Sequence, residues 1–176
     1  MLFRSNLLLT NNNFIILPYI LPESLKKVDV RKTLGVSSIY KNKIEKIKDL
    51  SISYFYKKNK INDSAIKINH ISHILLNEFL NNNNSELEIF LSFFNEKIFI
   101  TVLKNQSLLF YNQFEYKNSS FIKYILLTLE EYNIDRIKTK LNIVGDNHHL
   151  IEMKNFFGYI NLYKKSIFDI IENFYD

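Results

Sequence analysis

"LLFYNQFEYKNSSFIKYILLTLEEYNID", residues 108–135, passes from an apolar segment through a polar turn into a segment with a helical stripe. Residues 108–116 have strand composition, and Asn118, Ser119 and Ser120 are residue types that cap helix starts. Phe121, Ile125, Leu129 and Tyr132 then share one helical face, with Ile122 and Leu126 beside them. A strand followed by a helix that packs on a sheet is the expected local structure. Working upstream, Leu87, Ile89, Leu91 and Phe93 alternate with Glu88, Phe90 and Ser92. Turns at Asn95–Lys97 and Lys104–Ser107 flank "IFITVL", which predicts a three-stranded antiparallel meander. Downstream, "KLNIVGD" predicts a short strand stopped by Gly145 and Asp146. "HHLIEMKNFFGYI" predicts a second helix followed by a strand or turn.

The chain before residue 85 is less regular. "NLLL" and "FIILP" around Thr10–Asn13 predict a β-hairpin over residues 6–17, with Pro18 ending its second strand. A helix is expected between Pro22 and Leu34, and a strand through Ile52, Tyr54 and Tyr56 after a polar approach. Ile68, Ile71, Leu75 and Phe79 stand at helical spacing, so residues 64–80 predict one helix with Ser64 as N-cap. The Asn run in "NNNNS", residues 81–85, breaks that helix and is the best linker. The expected division is a partial amino-terminal subdomain over 1–63, a connecting helix and linker over 64–84, and a carboxy-terminal subdomain over 85–176.

Composition sets outer limits. The 176 residues can bury a real core, and the formal net charge is +5. Only Arg4, Arg31 and Arg136 are arginines, Ala65 is the sole alanine, and Ile, Asn, Phe and Tyr are in excess. An AT-rich genome accounts for that bias, and lysines interleaved with acids read as a solvated face. Without cysteine there is no disulfide, thiolate nucleophile or Cys-based zinc site. The apolar runs are too short or too interrupted to span a bilayer, and the expected location is the bacterial cytoplasm.

Three antiparallel strands, a helix, a strand and a helix make a mixed α/β sheet with helices on its faces, the ribonuclease H-like topology used in halves by actin-like ATPases. The residues also resemble a bacterial family, domain of unknown function 3822. The likeness is carried by Asn112 and Phe114 on a strand, Tyr124 on the helix, and Gly145 and Asp146 ending the next strand. Leu17 and Pro18 match an apolar strand ending in proline, and "INHISHILL" matches a central helix carrying His70. The resemblance implies two ribonuclease H-like halves with the first one incomplete, and no established activity. It also implies ribosome-related work, since genes of the family often neighbour a ribosomal RNA methyltransferase.

Active actin-like proteins cradle phosphate in glycine-containing hairpins, because backbone N–H groups must approach the phosphate closely. The corresponding segment here, "SFFNEKIF", has neither Gly nor Asp. Gly145 and Asp146 are the candidates for a residual nucleotide pocket. His70 with His73, and His148 with His149, lack the spacing and intervening Glu of a zinc-protease helix, so no metal is expected. A nuclease would gather Glu86, Glu88 and Asp146 around magnesium. The aromatics in "YFY", "FYNQFEY" and "NFFGY" suit core packing first, and base stacking only on an exposed face.

The expected function is a non-enzymatic adaptor or scaffold that meets a protein partner through a sheet edge and exposed aromatics, with no catalytic residue and no cofactor. The alternatives are a divergent ATPase binding ATP with magnesium, and an RNA-binding or ribosome-associated module.

Overall fold

The computed structural model describes residues 5–18, 29–57, 66–82, 85–145 and 147–176. The chain forms two compact units, residues 1–77 and 78–176.

In the first unit, β1 (Ser5–Leu9) pairs in parallel with β5 (Ile66–His70). β2 (Phe14–Pro18), β4 (Leu50–Lys57) and β3 (Tyr40–Ile47) form an antiparallel sheet with β4 in the centre. The expected hairpin over residues 6–17 is therefore corrected: both strands exist, but they go to different neighbours. The connection explains this. Asn11 Oδ1 accepts the Asn13 N–H at 2.9 Å, Asn11 Nδ2 donates to Phe55 O, and the Phe55 N–H donates to Asn13 O. The turn is thus fastened to β4, and β1 is left to pair with β5.

The polar approach before residue 50 is itself a strand. β3 is an edge whose Lys41, Lys43 and Lys46 match the way proteins guard edges, and its exposed Ile44 hides the alternation. Of the helix expected from Pro22 to Leu34, α1 (Val30–Thr33) is present, capped by Asp29, and residues 22–28 lie outside the described residues. Arg31 fastens α1 by donating to Ser37 O and Tyr40 O, with its guanidinium over the Phe55 ring. Residues 64–80 are not one helix. Ile66–His70 form β5 before α2 (Ile71–Asn82) begins, and Ser64 lies outside the described residues. Pairing with β1 overrides the helical spacing at Ile68, and the helix continues through Asn81 and Asn82 of the expected linker.

A polar cluster ties β3, β5 and the start of α2. Glu45 receives hydrogen bonds from Asn69 Nδ2 at 2.9 Å, from Lys43 and from His73. Burial pushes the Glu45 carboxyl up, but the His73 and Lys43 contacts outweigh it and hold it at about 2, below the ordinary 4.5. A depressed pKa stabilises the fold above the unfolded value. Up to about 3 kcal/mol is therefore expected to be lost as pH falls from about 4.5 toward about 2. Glu45→Gln should flatten the stability profile in that window, as urea midpoints measured across it would show.

In the second unit the meander is as expected: β6 (Leu87–Phe94), β7 (Lys97–Lys104) and β8 (Ser107–Glu115). A 3₁₀ turn at Asn118–Ser120 leads into α3 (Phe121–Glu131), with Ser120 Oγ accepting the Lys117 N–H. β9 (Lys140–Val144), α4 (Asn147–Met153) and β10 (Tyr159–Leu162) follow. The sheet order is β10-β9-β6-β7-β8, with β9 parallel to both β6 and β10. Counted within the unit this is strand order 5-4-1-2-3, the ribonuclease H-like arrangement. Ile89, Leu91, Phe93, Ile98, Ile100, Leu141 and Ile143 bury one face of the sheet in a cluster with Phe121, Ile125 and Leu129. A last helix, α5 (Ile167–Tyr175), was not expected. Its signal is a capping box in which Ser166 and Asp169 bond each other's backbone N–H.

Both tight hairpin turns place non-glycine residues in the left-handed region: Asn95 and Glu96 at φ 50° and 56°, Asn105 and Gln106 at 50° and 64°. Such turns favour Gly at the second position. Glu96→Gly is expected to stabilise the second unit by about 1 kcal/mol, read as a higher denaturant midpoint with unchanged slope.

Candidate functional site

The sheet of the second unit brings several candidates to one end. β6 and β9 run parallel, with Ser92 beside Val144, and Lys97 of β7 is paired with Glu115 of β8. The β6–β7 turn, the end of β8 and Gly145 therefore share the carboxyl end of β6. That is the end of an α/β sheet where ligands collect. A cavity of about 550 Å³ lies there, between the Asn95–Lys97 turn, the Glu115–Lys117 segment, and Ser120 and Tyr124 of the helix entrance.

Its charges are mixed. Glu96, Glu115, Lys97 and Lys117 all line it, and Lys97 Nζ lies 3.6 Å from Glu115 Oε1. The turn is held by the Tyr116 N–H donating to Glu96 O. Gly145 has φ 154°, a conformation that side chains rarely adopt, and it lies against Phe93. Asp146 lies outside the described residues.

Beside Gly145, His149 of α4 stacks on Phe93 with ring centroids 3.8 Å apart and planes at 12°. Its Nε2 lies 2.9 Å from Tyr116 Oη, and Phe121 meets the ring edge-on. No sequence signal singles out this box, because strand, turn and two helices each supply one ring. His148 is exposed, 3.4 Å from Glu152 one turn along α4.

Of the residues shared with the family pattern, Phe114 and Tyr124 come together as a stacked pair at 4.5 Å, and Tyr124 lines the cavity. Asn112 is exposed on β8, its Oδ1 accepting the Gln113 N–H at 2.8 Å. His70 belongs to the first unit. It is fully buried at the end of β5, packs against Phe14 and Tyr54, and makes a 2.9 Å hydrogen bond with Asn11 O. Glu86 and Glu88 stand at the start of β6, about five to seven residues and roughly 16–23 Å along the strand from the level of Gly145. Glu86 and Glu88 thus stand at the far end of the strand from Gly145, and the third carboxylate of the nuclease reading, Asp146, lies outside the described residues. Among the described residues no group of three or more His, Asp or Glu side chains converges as metal ligands, and no helix is long and apolar enough to cross a membrane.

Among solved structures, the chain matches a protein from Bacteroides thetaiotaomicron VPI-5482 described as having an actin-like ATPase fold and unknown function. The TM-score is 0.77 at 15% identity, over 97% of this chain and 73% of that one, which shows a shared fold. Likenesses to Archaeoglobus fulgidus Pelota (TM-score 0.37, 12% identity, 74% of this chain and 40% of that one) and to the AlfA filament bound to AMPPNP (TM-score 0.40, 13% identity, 93% and 56%) are too weak to carry anything. Nothing among the curated proteins matches the chain. Residues 43–167 match the family described as protein of unknown function DUF3822, so the strand, turn and helix pattern of the second unit reflects descent as well as architecture. The chain belongs to the DUF3822 family and has the fold of the actin-like ATPases.

Proposed function

We propose that this protein is a non-enzymatic adaptor that keeps an actin-like ATPase fold without nucleotide chemistry. The β6–β7 turn carries this reading. A phosphate cradle needs bare backbone N–H groups, and the turn instead holds Asn95 and Glu96 in left-handed conformations with Glu96 lining the adjoining cavity. Glu115 adds a second carboxylate, and Lys97 stands beside it. A polyphosphate arriving there meets side chains where it needs amides, and the two carboxylates of the lining offset its two lysines.

An adaptor also needs a surface. β8 is an edge strand interrupted by a bulge after Val102 of its partner, and β3 is lined with lysines, two devices that discourage pairing. β10 is the edge of the second-unit sheet that carries no charge, with Tyr159 and Leu162 exposed. It is the edge assigned here to a protein partner. If so, Tyr159→Lys with Leu162→Lys should abolish co-purification of a protein that the wild type retains in cross-linked cell extracts. Equal recovery by both would remove β10 from the reading.

A further inference from the structure

Three aromatic rings surround the His149 imidazole. Phe93, Tyr116 and Phe121 meet one another edge-on, at 5.9 Å for Phe93–Tyr116, 5.2 Å for Phe93–Phe121 and 5.4 Å for Tyr116–Phe121. The flat His149 imidazole lies in contact with each of the three. Phe93 supplies the face, Phe121 and Tyr116 supply edges at 75° and 81°, and Tyr116 Oη supplies one hydrogen bond to a ring nitrogen. Stacking, edge contacts and a polar partner are a recognition set for a planar nitrogen heterocycle. Tyr116 also lines the 550 Å³ cavity.

We propose that the Phe93–Tyr116–Phe121 box is a slot for a small planar nitrogen heterocycle, and that His149 closes it as a built-in competitor. The site is distinct from the mixed-charge lining that the β6–β7 turn gives the cavity, and it needs no phosphate recognition. An external ring binds only in the fraction of molecules whose imidazole has left, so affinity in the wild type is lowered by that fraction.

The test uses the full chain and imidazole itself as the probe. His149→Ala is expected to lower the unfolding midpoint, and imidazole at about 10 mM should then raise it by a few degrees, since a ring of this size binds in the millimolar range. Imidazole should bind His149→Ala at least tenfold more tightly than it binds the wild type. His149→Leu, which keeps the slot filled, should fold and show no response. Equal imidazole affinity in all three proteins would overturn the proposal, as would a folded His149→Ala that does not respond. If His149→Ala is unfolded alone, imidazole should restore folding. Failure to do so while His149→Leu folds would also overturn it.

Discussion

Replacing Gly158 by alanine should destabilise the second unit by about 3 kcal/mol, and lower its thermal midpoint by roughly 12–24 °C. A Cβ built on Gly158 lies 2.0 Å from the Ile137 carbonyl oxygen and 2.8 Å from its carbon. Those are backbone atoms, which cannot rotate away as a side-chain tip does. The two segments are already joined, because the Gly158 N–H donates to Arg136 O at 3.1 Å. Separating them breaks that bond and shifts Tyr159, whose register partner on β9 is Lys140. The expected result is a lower urea midpoint with far-UV circular dichroism largely retained at low denaturant. Wild-type stability in Gly158→Ala would mean that residues 136–137 and 158 do not touch. Gly145, where an added Cβ meets only ordinary contacts to Phe93, should suffer from its φ of 154° alone and lose less.

The second large effect lies on the opposite face of the same sheet. Phe90 is 2% exposed and stacks on Phe79 at 4.2 Å with planes at 5°, while Tyr163 meets both rings edge-on at 5.5 and 5.7 Å. Phe90→Ala removes a fully packed ring and should cost about 3–5 kcal/mol. Phe90→Leu should cost less, about 1.5 kcal/mol, because volume is better kept. The ring also supports a polar group. Tyr163 donates to Glu78 Oε1 at 2.9 Å, and Lys165 Nζ lies 2.9 Å from the same carboxylate. Burial pushes the Tyr163 phenol up, with the Glu78 hydrogen bond adding to it. In the wild type that phenol should stay protonated in a spectrophotometric titration through pH 10, while in Phe90→Ala water reaches it and it titrates lower. A 1 kcal/mol loss for Phe90→Ala would show that the ring is not packed as described.

Legibility followed contact order. β6, β7 and β8 are joined by two-residue turns, so their alternation and turn residues sit in one window of sequence. α3 declared itself through Phe121, Ile125 and Leu129, all buried. β1 and β5 pair across some sixty residues, with Leu9 opposite His70, and no local pattern announces a parallel partner at that distance. The hairpin expected over residues 6–17 followed from looking only nearby. β3 read as polar because this edge strand carries three lysines and an exposed Ile44, with Lys43 paired with Glu45. The Ser166–Asp169 capping box before Ile167 and Ile170 was visible in the sequence, and α5 could have been found from it.

The site divides the same way. Gly145 at a strand end and the missing glycine in "SFFNEKIF" are sequence facts with structural meaning, whereas Phe114 and Tyr124, both marked by the family resemblance, show their stack only in the fold. His149 looked like half of a paired-histidine motif. Its surroundings are Phe93, Tyr116 and Phe121, drawn together from β6, the end of β8 and α3, and only the folded sheet and helices assemble them.

We propose that the actin-like fold here has no working nucleotide site. Thermal unfolding of the purified chain with and without millimolar magnesium-ATP tests it directly, since a ligand at 100 times its dissociation constant adds about 2.7 kcal/mol of stability. The adaptor reading predicts the same midpoint in both samples. A rise of several degrees, lost in Gly145→Val, would contradict it and make the protein an ATP-binding member of the fold.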